Sequence, residues 1–246
     1  MQNISIKDYE NEIENLKNKI DSFRPFSTEQ LENLQSWFKI SFTAESNAIE
    51  WNTFTQNEVK ILVEDWITVW WKTIKEVKET QNLASIVDII WQFFETDFIL
   101  TSNFILELHK KLLFWIDEKY AWKYRDIQLF ISWSSDIPSS YKDLEKLLDI
   151  FIKSTNLASK NPLESIARLH YDFVKIHPFT DWNGRIARLL MNLYFVKNWY
   201  LPVIFPVATR LDYIKSLWWD KNFDDFYRYF LWQTRENMIN YLRMFE

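Results

Sequence analysis

Three segments of this chain carry complete helix-start signals, and they commit it to an α-helical fold. Ser27-Thr28-Glu29-Gln30 and Thr55-Gln56-Asn57-Glu58 have capping-box spacing, in which the cap hydroxyl and the side chain three residues on satisfy two otherwise orphaned backbone N–H groups. Asn161-Pro162-Leu163-Glu164 places a cap, a proline at the first helical position and a glutamate in order. The apolar period behind these signals predicts helices over 7–22, 28–42, 56–65, 73–94, 102–114, 141–154, 162–176, 184–197 and 224–243. The expected class is all-α, a helical bundle. One segment departs from it: Ile127, Leu129 and Ile131 alternate, and the turn-rich Ser134-Ser135-Asp136-Ile137-Pro138 follows, the pattern of a short β-hairpin. No repeat, low-complexity tract or linker divides the chain, so the N-terminal helices are expected to pack on the rest.

Composition excludes several functions and leaves one anomaly. A net charge of −5 argues against a general nucleic-acid binder. No apolar run approaches the roughly 20 residues of a membrane span, and Met1–Glu10 lacks a signal-peptide core, so a cytoplasmic protein with no membrane partner is expected. The absence of cysteine removes disulfides and thiolate zinc sites, and His109, His170 and His177 are too few and scattered for a metal cage. His109 and His170 read as packing or hydrogen-bonding residues, although His170 could support His177. The anomaly is a single glycine, where average usage of about 7% predicts roughly 17, beside 14 tryptophans.

Chemistry concentrates in His177-Pro178-Phe179-Thr180-Asp181-Trp182-Asn183-Gly184-Arg185-Ile186-Ala187-Arg188. This loop follows one amphipathic helix and opens another, and a helix N-terminus offers free N–H groups and the positive dipole end to a phosphate. Arg185 and Arg188, three apart, share a helix face and can clamp outer phosphates. Asp181 can hold Mg²⁺ together with phosphate oxygens. His177 is a candidate general base. These residues together point to nucleotide-phosphate chemistry.

The stretch resembles the Fic family signature HPFx[DE]GNGRxxR, departing from it only where Trp182 replaces glycine. Leu169-His170-Tyr171 to Ile176, Leu189 to Leu193, and Lys123-Tyr124-Arg125 extend the resemblance, which runs from about Phe26 to Phe230. It implies a Fic-type helical bundle with a β-hairpin flap near the active site. It also implies transfer of AMP from ATP, with Mg²⁺, to a Ser, Thr or Tyr hydroxyl of a target protein. By that resemblance His177 is the base and Asp181 the metal ligand. Asn183 and the N–H groups around Gly184 form the anion hole, Trp182 falls within that nest, and Arg185 and Arg188 hold the β- and γ-phosphates. Phe179 anchors the loop in the core.

Upstream, Ser46-Asn47-Ala48-Ile49-Glu50-Trp51-Asn52 resembles the [ST]xxxE[GN] inhibitory helix that some members carry before the core. Ser46 and Glu50 share a helix face, and the resemblance pairs Glu50 with Arg188, in the seat of the γ-phosphate. The implied organisation is an N-terminal region, 1–80, containing this helix at about 44–51, and a core, 81–246. The flap residues Ile127, Leu129 and Ile131 would add a target backbone as an extra strand, and Tyr213 would lie against the nucleotide. Self-modification and homodimer formation stay open. So do two other functions: removal of AMP through the same site, and a catalytically impaired interaction module should the Trp182 indole block the nest. Trp51, Trp66, Trp70, Trp71, Trp122, Trp133 and Trp199 also stand where such sequences tend to have glycine. A gene that reads UGA as glycine, translated with UGA as tryptophan, would produce this pattern, with Trp37 a candidate for a genuine tryptophan.

Overall fold

The computed structural model describes residues 4–93, 98–131, 137–157, 159–219 and 222–246. Its helices are α1 (Ile6–Asp21), α2 (Thr28–Ile49), α3 (Gln56–Glu64), α4 (Ile74–Val87), α5 (Ile89–Gln92), α6 (Ser102–Leu112), α7 (Leu144–Thr155), α8 (Pro162–Ile176), α9 (Asn183–Lys197), α10 (Arg210–Trp218) and α11 (Phe223–Phe245). The all-α expectation holds among the described residues. Ser27 and Thr55 form the capping boxes their spacing predicts, Thr73 and Glu76 form a third, and Asn161 accepts the Glu164 N–H. No helix among the described residues is long and apolar enough to cross a membrane.

The centre of the bundle is α9. Apolar or polar, every side chain from Arg185 to Val196 is buried, the signature of a helix enclosed on all sides. Helix α8 packs along it, α11 packs on α8, and α1 lies against α11. Helix α2 packs on α3 and α4 and reaches α9 with its C-terminal half. It runs seven residues past the expected end at 42 because Phe42, Ala44, Ser46, Asn47 and Ile49 continue its buried face.

The expected hairpin is corrected in its described part. Residues 125–131 form no strand and bend at Ile127, and residues 132–136, Trp133 among them, lie outside the described residues. The alternation does not bury one face: Ile127 is 51% exposed while Ile131 is partly buried. Side chains take the place of a ladder. Arg125 Nη1 donates to the Ile127 carbonyl (2.9 Å) and Gln128 Nε2 to the Pro138 carbonyl (3.0 Å). A two-stranded ribbon alone is marginal in water, and these bonds supply the local order instead.

Candidate active site

The loop between α8 and α9 holds the candidate residues from His177 to Asn183, and its shape is set by three local devices. His177 ends α8 in the left-handed region (φ 51°), which turns the chain out of the helix. Phe179 is fully buried and stacks on the His109 ring at 3.7 Å. Asn183 holds the loop across its base, accepting from the Phe179 N–H at 2.9 Å and donating to its carbonyl at 2.8 Å. Its side chain is therefore spent on the loop and does not face the cavity. Arg125 fastens the same loop from outside: its Nε donates to the His177 carbonyl (2.8 Å) and its N–H to that of Pro178 (2.9 Å).

His177 Nδ1 lies 3.2 Å from the Val174 carbonyl. A carbonyl only accepts, so Nδ1 carries the proton and Nε2 keeps its lone pair. Burial lowers the ring's pKa to about 4, so it is neutral at pH 7.

The two arginines diverge in their partners. Arg188, almost completely buried, is held by the end of α2 and its cap: Nε donates to Ser46 Oγ (2.9 Å), and Nη2 to the Ser46 carbonyl (3.0 Å) and to Glu50 Oε1 (2.8 Å). Burial alone would raise the Glu50 pKa, but Arg188 and Arg185 outweigh it and hold the carboxyl below its usual range. Arg185 turns toward α2 and α4, bonding Asn47 Oδ1 (3.1 Å) and pairing with Glu79 Oε2 (3.3 Å). Gly184 is the contact point beneath Glu50, where an added Cβ would collide with Oε1.

Trp182 precedes α9 at φ 73°, buried, with the Arg185 guanidinium 3.5 Å over its ring and its indole N–H without a partner. Asp181 is exposed, and its Oδ1 accepts the Trp182 N–H at 2.6 Å. Among the described residues no cluster of three or more acidic, His or Cys side chains could hold a metal. A single carboxylate suits an ion such as Mg²⁺ only when phosphate oxygens complete the shell.

Glu50, Trp51, His177, Gly184, Arg210 and Tyr213 surround a cavity of ≈ 170 Å³, below the ~300–1,000 Å³ of ordinary ligand pockets. Tyr213 is buried, its hydroxyl between Arg188 Nη1 (3.4 Å) and His170 Nε2 (3.1 Å). Arg210 stacks on the exposed Trp51 ring at 3.2 Å. Sequence reasoning did not assign Asn47, Glu79 or Arg210 to the site. Asn47 stood inside the segment Ser46–Asn52 and Arg210 three residues before Tyr213, but Glu79 carried no signal.

Residues 99–195 match the Fic/DOC family. The chain is 35% identical over 176 residues to a protein of Nematostella vectensis named protein adenylyltransferase Fic, covering 70% of this chain and 41% of that one. It thus spans less than half the length of this relative. The solved C. elegans Fic-1 segment superposes with a TM-score of 0.87 at 24% identity, covering 98% of this chain and 72% of that one. A more distant structure, a Fic domain of IbpA in complex with adenylylated Cdc42, gives a TM-score of 0.54 at 19% identity over 93% of this chain and 76% of that one.

Proposed function

Because the chain belongs to the Fic/DOC family, we propose that it transfers AMP from ATP to a hydroxyl of a target protein and restrains itself through Glu50. The observation that carries this is that His177, Gly184 and Glu50 line one cavity, with the Glu50 carboxylate bonded behind it to Arg188 at 2.8 Å. In the reaction His177 Nε2 takes the hydroxyl proton, the freed oxygen bonds to the α-phosphorus, and the bond to the bridging oxygen breaks so that pyrophosphate leaves with the electron pair. Little basicity is needed in so loose a transition state, and the incoming polyphosphate charge raises the imidazole pKa from its depressed value. The N–H groups at the start of α9 and the two arginines neutralise the phosphates. Asp181 would hold Mg²⁺, which neutralises phosphate charge when bound. Asn183 serves the anion hole through the loop it staples.

Glu50 blocks by occupying Arg188. Three of the five guanidinium N–H groups of Arg188 are bonded to Ser46 and Glu50, so an outer phosphate must displace the Glu50 carboxylate, and the cavity is too small for the nucleotide. Residues 1–80 supply the restraint and 81–246 the chemistry. The segment of Ile127, Leu129 and Ile131, tied to the catalytic loop by Arg125, would receive the target backbone. A target protein is supported by the IbpA complex, which holds adenylylated Cdc42.

The deciding measurement is incorporation of α-labelled ATP. Glu50→Gly should raise labelling, and Glu50→Gly/His177→Ala should abolish it. Unchanged labelling in the first variant rejects the restraint; labelling that survives His177→Ala rejects the base.

A further inference from the structure

We infer that Trp51, Trp66, Trp115, Trp122, Trp182 and Trp199 occupy glycine positions, and that the host decodes their codons, UGA, as glycine. Among the described residues seven have positive φ; six are these tryptophans, at φ between 58° and 73°, and the seventh is His177. Chance would put fewer than one tryptophan among seven, since the chain has 14 in 246 residues. No asparagine or aspartate, the side chains that best tolerate this region, holds such a position.

Local hydrogen bonding makes the same assignment. At the end of α9 the Trp199 N–H donates to the Val196 carbonyl and the Tyr200 N–H to that of Phe195, each at 3.0 Å. At the end of α2 the Trp51 N–H donates to Ala48 and the Asn52 N–H to Asn47, each at 3.1 Å. Both are Schellman caps, and tryptophan sits in the left-handed seat that glycine fills in most of them. The indoles bury little surface in return: those of 51, 66, 115, 122 and 199 are 43–79% exposed. Trp182 is buried but with an unpartnered N–H.

Two tryptophans serve as internal contrasts. Trp37 and Trp232 lie inside α2 and α11, away from positive φ, and pack edge-on against Tyr241 (5.6 Å) and Tyr229 (6.1 Å). Trp70 and Trp71, glycine-like from sequence, have no positive φ either, whereas Trp115, which the sequence did not single out, does. UGA differs from the tryptophan codon UGG by its third base and from the glycine codon GGA by its first, so one reassigned tRNA produces the whole pattern.

The test is the gene and the protein that its host makes from it. UGA at the six positions with UGG at Trp37 and Trp232, and glycine at 51, 122 and 182 in peptides of the host's protein by mass spectrometry, is the expected result. UGG codons, or tryptophan in those peptides, overturn the inference. A second arm needs no host. In the chain as written, Trp66→Gly should raise the unfolding midpoint by about 2–4 °C, whereas Trp66→Ala, which keeps the Cβ, should not. A glycine variant no more stable than the alanine one overturns the backbone argument. Neither arm measures transfer, so the inference stands or falls apart from the proposed activity.

Discussion

Arg188 is a guanidinium with almost no access to water, and its desolvation is compensated chiefly by Ser46 and Glu50. Ser46→Ala removes the Nε acceptor and leaves a buried charged donor unmet, which costs about 1–3 kcal/mol. It also loosens the end of α2 on which Glu50 sits. A lower unfolding free energy together with raised ATP labelling is therefore expected, and unaltered stability in urea titration would remove Ser46 from the network. Glu50→Gly should be milder on the fold than loss of a fully buried partner, because the carboxylate is 35% exposed and Ser46 still bonds the arginine. Trp182 acts on the other side of the cavity. Its removal loses buried indole surface but relieves a left-handed strain of roughly 1–2 kcal/mol and frees Arg185 from the ring. In the Glu50→Gly background, Trp182→Gly should raise labelling at least about tenfold, equivalent to ~1.4 kcal/mol of barrier; equal labelling in both would dismiss the steric effect.

At the scale of elements, the proposed restraint depends on how the chain beyond α2 is fastened. Glu76, in the first turn of α4, caps Thr73 and also accepts from the Thr53 N–H (3.1 Å) and hydroxyl (2.6 Å), just past Glu50. Burial alone would raise its pKa, but these bonds outweigh it and bring it to about 2. Thr73→Ala should cost about 1 kcal/mol, a fall of about 2–4 °C in midpoint, with labelling unchanged. Glu76→Ala should cost more and raise labelling, because it frees the turn after Glu50 as well. Equal effects of the two variants would deny that α4 steadies α2. Capped helices were legible because a cap and a period are local signals: Ser27, Thr55 and Asn161 each begin a helix within a residue of expectation. Helix α10 escaped because it is nine residues long and Thr209 caps it with no side-chain bond. The predicted helix over 73–94 breaks at Asp88 between α4 and α5. The hairpin was over-read because alternation alone does not reveal which face has a partner to pack on.

In the molecule as a whole, the loop from His177 to Arg188 was legible because its residues are contiguous, whereas Asn47 and Glu79 reach Arg185 from 138 and 106 residues away. Only packing brings them together. The same packing encloses the histidines and gives the fold a predictable weakness. Burial lowers His109 and His177 to about 4 and His170 well below its ordinary value of 6.5. A folded-state pKa below the unfolded one means that the unfolded chain binds more protons between the two values, so stability rises with pH across that window and is lost as pH falls through it. For His109 and His177 the window is about 6.5 down to 4, and each contributes on the order of 3 kcal/mol, a large share of the ~5–15 kcal/mol that holds a domain folded. Glu14 and Asp172, raised by burial, have the opposite sign and soften the loss at its acidic end. Urea midpoints should be flat above about pH 7 and fall steeply below 6.5, toward acid unfolding before pH 4. His109→Phe keeps an aromatic ring against Phe179 while removing one titrating group, and should reduce the slope by about a third where the three histidines titrate together. A pH-independent midpoint between 7 and 5, or an unchanged slope in the variant, would mean that these imidazoles are charged in the folded protein.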